Sequence, residues 1–441
     1  MAWPSSPIGD SEWFVRDRFG LFIHWGLYAL LARHEWVKNF EQTPDEVYDR
    51  YFERFDPDLY NPEEWAALAA EAGMKYMVIT SKHHEGFCLW DSKLTDYKAT
   101  NTPADRDLLR PMLDGFRSRG LKVGLYHSLI DWHHPDYLID NHHPQRNHPD
   151  KDKLNEGRDP KRYAEYLHGQ ARELLADYGK IDLLFYDFSY PDRDEQGNSR
   201  PWLGKGREEW QSEKLLAVTR ELQPQILVND RLDLMDVEGG WDYRTPEQYV
   251  PKEGVTVEGQ PVLWEACHTL SGSWGYHRDE ASWKSVEQLV QMLIDTVSKG
   301  GNLLLNVGPT ARGEFDHRAV ERLRGIGEWM KRHDRSIYGC TRAPEEFEAP
   351  KDCRLTYNPE TRRLYVHVFA WPFRHLHLEG MGGKVNYAQL LNDGSEVKML
   401  VGGPRHVAGP VAVGAKTELL TLELPVHKPK ATVPVIELLL G

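Results

Sequence analysis

Along residues 20–340 of this 441-residue chain one pattern of apolar and polar positions recurs: an amphipathic helix, a glycine, a short continuously apolar strand, then a polar stretch. Asn61-Pro62 opens a helix with a side-chain cap and a proline in its first turn. Trp65, Leu68 and Ala72 give that helix an apolar face, Gly73 closes it, and 76–80 follows as a buried strand. The next unit runs through Leu108, Leu109 and Phe116 to Gly120 and a strand over 123–126. A third spans 163–178, Gly179 and a strand over 181–186, and a fourth spans 210–222 and 226–228. A helix over 286–298 precedes Gly300-Gly301 and a strand over 303–307. Residues 22–24 read as the first strand, 262–264 as another, and 241–243 as a weak one.

Continuously apolar strands alternating with helices mean a parallel sheet covered by helices. About eight of them predict a (β/α)8-like barrel rather than a doubly wound sheet, and no GxGxxG follows the first strand. After about residue 345 the period changes. Strands over 354–357 and 364–368 flank a turn at Asn358-Pro359, and alternating segments follow at 385–391, 396–401, 418–424 and 435–440. These predict a C-terminal antiparallel β-sandwich. The expected division is a barrel domain over 1–342 and a sandwich domain over 343–441.

Charge and composition narrow the function. The 54 Lys and Arg stand against 68 Asp and Glu, a net charge of −14, which steers the chain away from nucleic acid. No apolar run reaches the ~18 residues of a membrane span. The opening MAWPSSPIGDSEWFVRDRFG has no charged-then-apolar leader pattern, so a cytoplasmic location is expected. Four cysteines form no disulfide framework, and reduced thiols are expected, Cys340 and Cys353 included. The 15 Trp, 20 Tyr and 20 His are the unusual feature, since aromatics and imidazoles suit sugars or metals. Composition leaves the oligomeric state open.

The active site of such a barrel lies at the C-terminal strand ends. Here these ends are polar one after another: His24, then Lys82-His83-His84-Glu85, His127-Ser128, Asp187, Asn229-Asp230-Arg231, Glu265 and Asn306. A single polar residue after a strand means little, because loops are exposed; titratable groups at every end are hard to explain as packing. The pairs at 83–84, 133–134 and 142–143 raise the possibility of a metal site. Adjacent imidazoles chelate one ion poorly, however, and no HExxH or CxxC spacing appears. Neither a metal nor another cofactor is expected. Asp187, framed by Phe185, Tyr186 and Phe188, suits a nucleophile. Glycoside hydrolysis needs a second carboxyl, for which Glu247, Glu265 and Glu35 all qualify.

FGLFIHWGLY (19–28), SKHHEGFCLWDS (81–92), GLYHSLIDWHHPDY (124–137) and KGGNLLLNVGPTARG (299–313), in this order, closely resemble the α-L-fucosidases, glycoside hydrolase family 29. The resemblance implies a barrel with a C-terminal sandwich and a retaining mechanism through a covalent fucosyl-enzyme. It implies Asp187 as nucleophile and, from WDYRTPEQY (241–249), Glu247 as acid/base, with Glu265 and then Glu35 as rivals. His24, His83 and His84 match positions that hold sugar hydroxyls, Glu35-Trp36 a pair that holds the ring, Arg231 a sugar-site arginine and Trp274 an aromatic wall. Two departures, Phe185 where Trp is frequent and His127 where an aromatic is common, are expected to alter the pocket's rim or its acceptor-site preference and to spare the catalytic pair. Arg231 should keep Asp187 ionised, while apolar surroundings and the neighbouring charge keep Glu247 protonated. The implied partners are fucosylated glycans or small fucosides. The alternatives are an α-L-galactosidase using the same pocket and a non-catalytic fucose-binding protein.

Overall fold

The computed structural model describes residues 7–192, 204–401 and 418–441; the first six residues of the leader reading lie outside this range. In chain order the barrel strands are β1 (Phe19–Ile23), β2 (Tyr76–Lys82), β3 (Lys122–Ser128), β4 (Leu183–Asp187) and β5 (Leu227–Val228). A short hairpin of β6 (Thr256–Val257) and β7 (Gln260–Pro261) precedes β8 (Glu265–Thr269) and β9 (Asn302–Val307). The sheet order is β5-β4-β3-β2-β1-β9-β8, with every pair parallel. Between β5 and β8 the gap is spanned by single parallel bridges: Asn229 to Tyr243, Arg244 to Trp264 and Glu247 to Cys267. The segment 243–247 thus takes the sixth place without a regular ladder, and the barrel is complete only in this irregular sense.

The strands are buried on both faces, which explains their continuous apolarity. Phe22, Val78, Tyr126, Leu183, Phe185, Leu227, Cys267 and Leu304 fill the barrel interior. Leu21, Ile23, Met77, Ile79, Leu125, Leu184, Val228 and Leu305 point outward, into the layer between sheet and helices. The helices begin where local chemistry says they should. Asn61 accepts from Glu64 N ahead of helix Pro62–Glu71, Asp159 from Lys161 N ahead of Pro160–Asp177, and Ser285 and Gln288 cap Val286–Val297 reciprocally.

One strand is displaced from its expected place. The apolar run 262–264 was expected to be the strand and Glu265 its polar end; β8 instead begins at Glu265. Glu265 therefore lies at the N-terminal end of the barrel, fully buried, with the Tyr76 hydroxyl donating to it.

The sandwich comprises β10 (Thr341–Arg342), β11 (Cys353–Asn358), β12 (Arg363–Val368), β13 (His375–Leu378), β14 (Val385–Leu390), β15 (Lys398–Val401), β16 (Leu420–Glu423) and β17 (Val435–Leu440). One sheet runs β10-β11-β12-β17-β14 and the other β13-β16-β15, both antiparallel, around a core of their own. Trp329 on helix His317–His333 donates to the Val433 carbonyl at 2.8 Å, and Val433, Val435 and Tyr365 join the core of the barrel's outer layer. All four cysteines are free and buried.

Candidate active site

At the C-terminal mouth of the barrel lies a cavity of about 120 Å³. Its depth is lined by Phe22, His24, Glu35, His83, His84, Tyr126, Phe185, Asp187 and Cys267, all buried. Its opening is formed by Trp36, Phe188, Arg231, Glu247 and Trp274, each partly exposed. The period of two along each strand builds this wall. Phe22 leads to His24, Phe185 to Asp187, and Tyr126 is the inward residue of β3.

Asp187 is gripped on both oxygens. Arg231 Nη1 donates to Oδ1 at 2.7 Å and the Tyr126 hydroxyl to Oδ2 at 2.7 Å, while His84 Nε2 lies 3.8 Å from Oδ2. Burial alone would push this carboxyl up, but Arg231, His84 and the Tyr126 hydroxyl outweigh it and hold it below the usual range. Arg231 Nη2 reaches the other way, to Glu247 Oε2 at 2.9 Å. One guanidinium thus bridges the two carboxyls named as nucleophile and acid/base. It lies over the Phe185 ring, 5.0 Å from its centroid.

The histidines are neutral hydrogen-bonding groups. Burial pushes His24 down to about 3, His84 to about 4, and His83 well below the ordinary imidazole value. His24 Nδ1 is paired with Asn306 Oδ1 at 2.7 Å and His84 Nδ1 with Ser128 Oγ at 2.7 Å, which fixes both rings and leaves each Nε2 for a ligand. His83 Nδ1 is buried with no hydrogen-bond partner among the described residues. Glu35 is anchored through Oε2 by the backbone N–H groups of Trp274 (3.1 Å) and Gly275 (2.9 Å), and its Oε1 is buried without a hydrogen bond. Burial pushes Glu35 up to about 7, against its backbone donors. Trp274 lies beside His24, with centroids 5.1 Å apart.

Of the residues singled out in the sequence, the cavity gathers Asp187, Glu247, His24, Glu35, Trp36, His83, His84, Phe185, Arg231 and Trp274. His127 is not among them. It is the outward residue of β3, next to Tyr126, with its Nδ1 3.0 Å from Ser81 Oγ and its ring against Trp90 behind the sheet. Phe185 lies deep in the pocket, 1% exposed, rather than on the rim. Glu265 lies below the cavity and does not line it. The apolar shell expected around Glu247 is also absent: the side chain is 43% exposed, at the cavity mouth, and ion-paired with Arg231. Tyr126, Phe22 and Cys267 complete the pocket and were not singled out, and Phe188, read only as framing Asp187, joins them; the alternation from His24 and Glu265 points to Phe22 and Cys267. Phe188 carries φ +78°, a strained conformation directly after Asp187. Among the described residues no three His, Cys, Asp or Glu side chains converge to hold a metal ion.

The family model for α-L-fucosidase matches residues 7–335. The chain belongs to the α-L-fucosidase family. The human plasma α-L-fucosidase is 30% identical over 386 residues, covering 82% of this chain and 76% of the relative. The solved α-L-fucosidase isoenzyme 1 from Paenibacillus thiaminolyticus is 43% identical, with a TM-score of 0.89 and 98% of each chain covered. A family 29 α-L-fucosidase from Bacteroides thetaiotaomicron, solved as a mutant's trapped covalent intermediate with 2-fluoro-fucosyl fluoride, is 26% identical, with a TM-score of 0.80 and 100% of each chain covered.

Proposed function

We propose that this chain is a retaining, exo-acting α-L-fucosidase that hydrolyses terminal α-L-fucosides through a fucosyl-enzyme. The observation that carries the reading is the Asp187–Arg231–Glu247 array, in which one guanidinium donates to both carboxyls. Double displacement needs two carboxyls close to one another, and a shared guanidinium keeps these two near each other. Neutral imidazoles at 24, 83 and 84 donate to and accept from hydroxyls, and Trp274 and Phe22 offer apolar faces to the methyl side of the sugar.

In this mechanism Asp187, held ionised by Arg231 and Tyr126, attacks the anomeric carbon. The bond to the leaving oxygen breaks as Glu247 gives that oxygen its proton. Glu247 then takes a proton from water, the resulting hydroxide attacks the same carbon, and Asp187 leaves with the original configuration restored. The choice of Glu247 follows from depth. An exo-acting pocket holds the terminal sugar at the bottom and the leaving group at the mouth, where Glu247 lies. Glu35 is deep and fixed by backbone donors, which suits holding a ring hydroxyl. The trapped intermediate of the Bacteroides relative favours catalysis over a non-catalytic binder.

The test is hydrolysis of an aryl α-L-fucoside followed by NMR from the first minutes. α-L-Fucose is expected first, with the β-anomer growing in by mutarotation. Initial β-L-fucose, or turnover of the L-galactoside but not the fucoside, would overturn the reading.

A further inference from the structure

The opening of the cavity carries an aromatic surface that the pocket itself does not use. Phe40 is 61% exposed, although it is a large apolar side chain. Its ring stacks on Trp36 at 6.0 Å and 30°, and His34 packs against it at 5.2 Å. Trp36 is itself a mouth residue, in contact with His84 and Phe188 on its pocket side. The surface therefore continues the pocket wall outward with no break.

This surface is held rigid. Trp36 N donates to His34 Nδ1 at 3.0 Å, and Asn39 Nδ2 to the His142 carbonyl at 2.6 Å. His34 has φ +124°, a conformation unfavourable for any residue with a side chain. At its edge Arg33 and Glu41 form a two-pronged ion pair at 2.7 and 2.8 Å, both about half exposed. An apolar face bordered by fixed donors and acceptors matches a pyranose ring, which offers C–H groups on its face and hydroxyls on its edge.

Resting on the fucosidase reading, we infer that the Trp36–Phe40 surface is the subsite for the sugar to which fucose is attached. That hexose ring would stack on Phe40 while its hydroxyls meet Arg33 and Glu41. The position fits the chemistry, because the leaving group must emerge at the mouth and Trp36 is the mouth residue that leads to Phe40.

The test compares α-L-fucosyl fluoride, whose leaving group has no ring, with a fucosyl-hexose disaccharide. In Phe40→Ala, kcat/KM for the disaccharide is expected to fall roughly three- to tenfold, the worth of one aromatic contact, and the fluoride to be cleaved as by the wild type. Phe40→Tyr should restore the disaccharide. An equal fall for both substrates, or no fall for the disaccharide, overturns the subsite. If the wild type cleaves neither substrate, the fucosidase reading fails first. An unchanged melting temperature for Phe40→Ala checks that the fold is intact.

Discussion

A single hydroxyl shows how far each side chain's direction matters. Tyr126 and His127 are neighbours on β3, yet Tyr126 donates to Asp187 and His127 lies behind the sheet against Trp90. The motif around them pointed to His127 as the pocket residue; the strand period reverses this, because Tyr126 pairs with the inward Phe185 and His127 with the outward Tyr186. Tyr126 is one of three groups that hold the Asp187 carboxyl low. Tyr126→Phe removes a hydrogen bond to a charged group, worth about 1.5–3 kcal/mol, so kcat/KM should fall roughly ten- to a hundredfold. The acid limb of its pH profile should also move to higher pH, because Asp187 then loses a stabiliser of its ionised form. An unmoved limb in pH–rate measurements would show that Tyr126 does not touch the working carboxylate.

At the scale of elements, strand ends were legible because a polar residue after an apolar run stands out, and β1 to β5 and β9 lie within a few residues of their expected places. β8 was misplaced because the period reads hydrophobicity alone. Glu265 looks like a strand end, whereas it is a buried carboxyl paired with Tyr76, and burial pushes it up to about 8. The connection after β3 depends on another buried polar pair. Lys82 Nζ, at the end of β2, lies 3.2 Å from Asp131 Oδ2, and both side chains are almost fully buried. Asp131 Oδ1 also accepts from the N–H groups of His133 and His134, and Trp132 N donates to the His84 carbonyl. The pair therefore ties the loop to the strand that presents His83 and His84. Asp131→Ala leaves a buried ammonium unpaired and should cost about 3–5 kcal/mol, read as a lower urea midpoint; an unchanged midpoint would mean that Lys82 finds another partner.

Across the whole molecule, buried titratable groups set opposing pH dependences. Burial pushes Glu35 and Glu85 up to about 7 and Glu265 up to about 8. The folded chain keeps these protons where the unfolded chain has released them, so their contribution is full below about pH 4 and is lost as pH rises through 7 to 8. The buried imidazoles run the other way. His24 and His367 are pushed down to about 3 and His84 to about 4, so their contribution is full above about pH 6.5 and is lost as pH falls through 4 to 3. The melting temperature should peak between about pH 4.5 and 6.5 and decline toward pH 8.5. Glu265→Gln, which mimics the protonated acid, should flatten the alkaline decline in calorimetric scans. A melting temperature that rises steadily through pH 8 would contradict these assignments. The two-part architecture was legible because the change of period near residue 345 is a change of core. The irregular sixth barrel segment was faint because isolated bridges impose no pattern on its sequence.

In the proposed mechanism Asp187 and Glu247 divide the work of nucleophile and acid/base between them. The most direct measurement is the anomeric configuration of the fucosyl azide each variant forms from an activated fucoside in azide, read by NMR. In Asp187→Gly azide takes the vacated place and attacks once, so an inverted product is expected. In Glu247→Ala azide attacks the fucosyl-enzyme after a first inversion, so the product is retained. A retained azide from Asp187→Gly would contradict the nucleophile assignment. Wild-type behaviour from Glu247→Ala, with Glu35→Ala giving the retained azide, would move the acid/base role to Glu35.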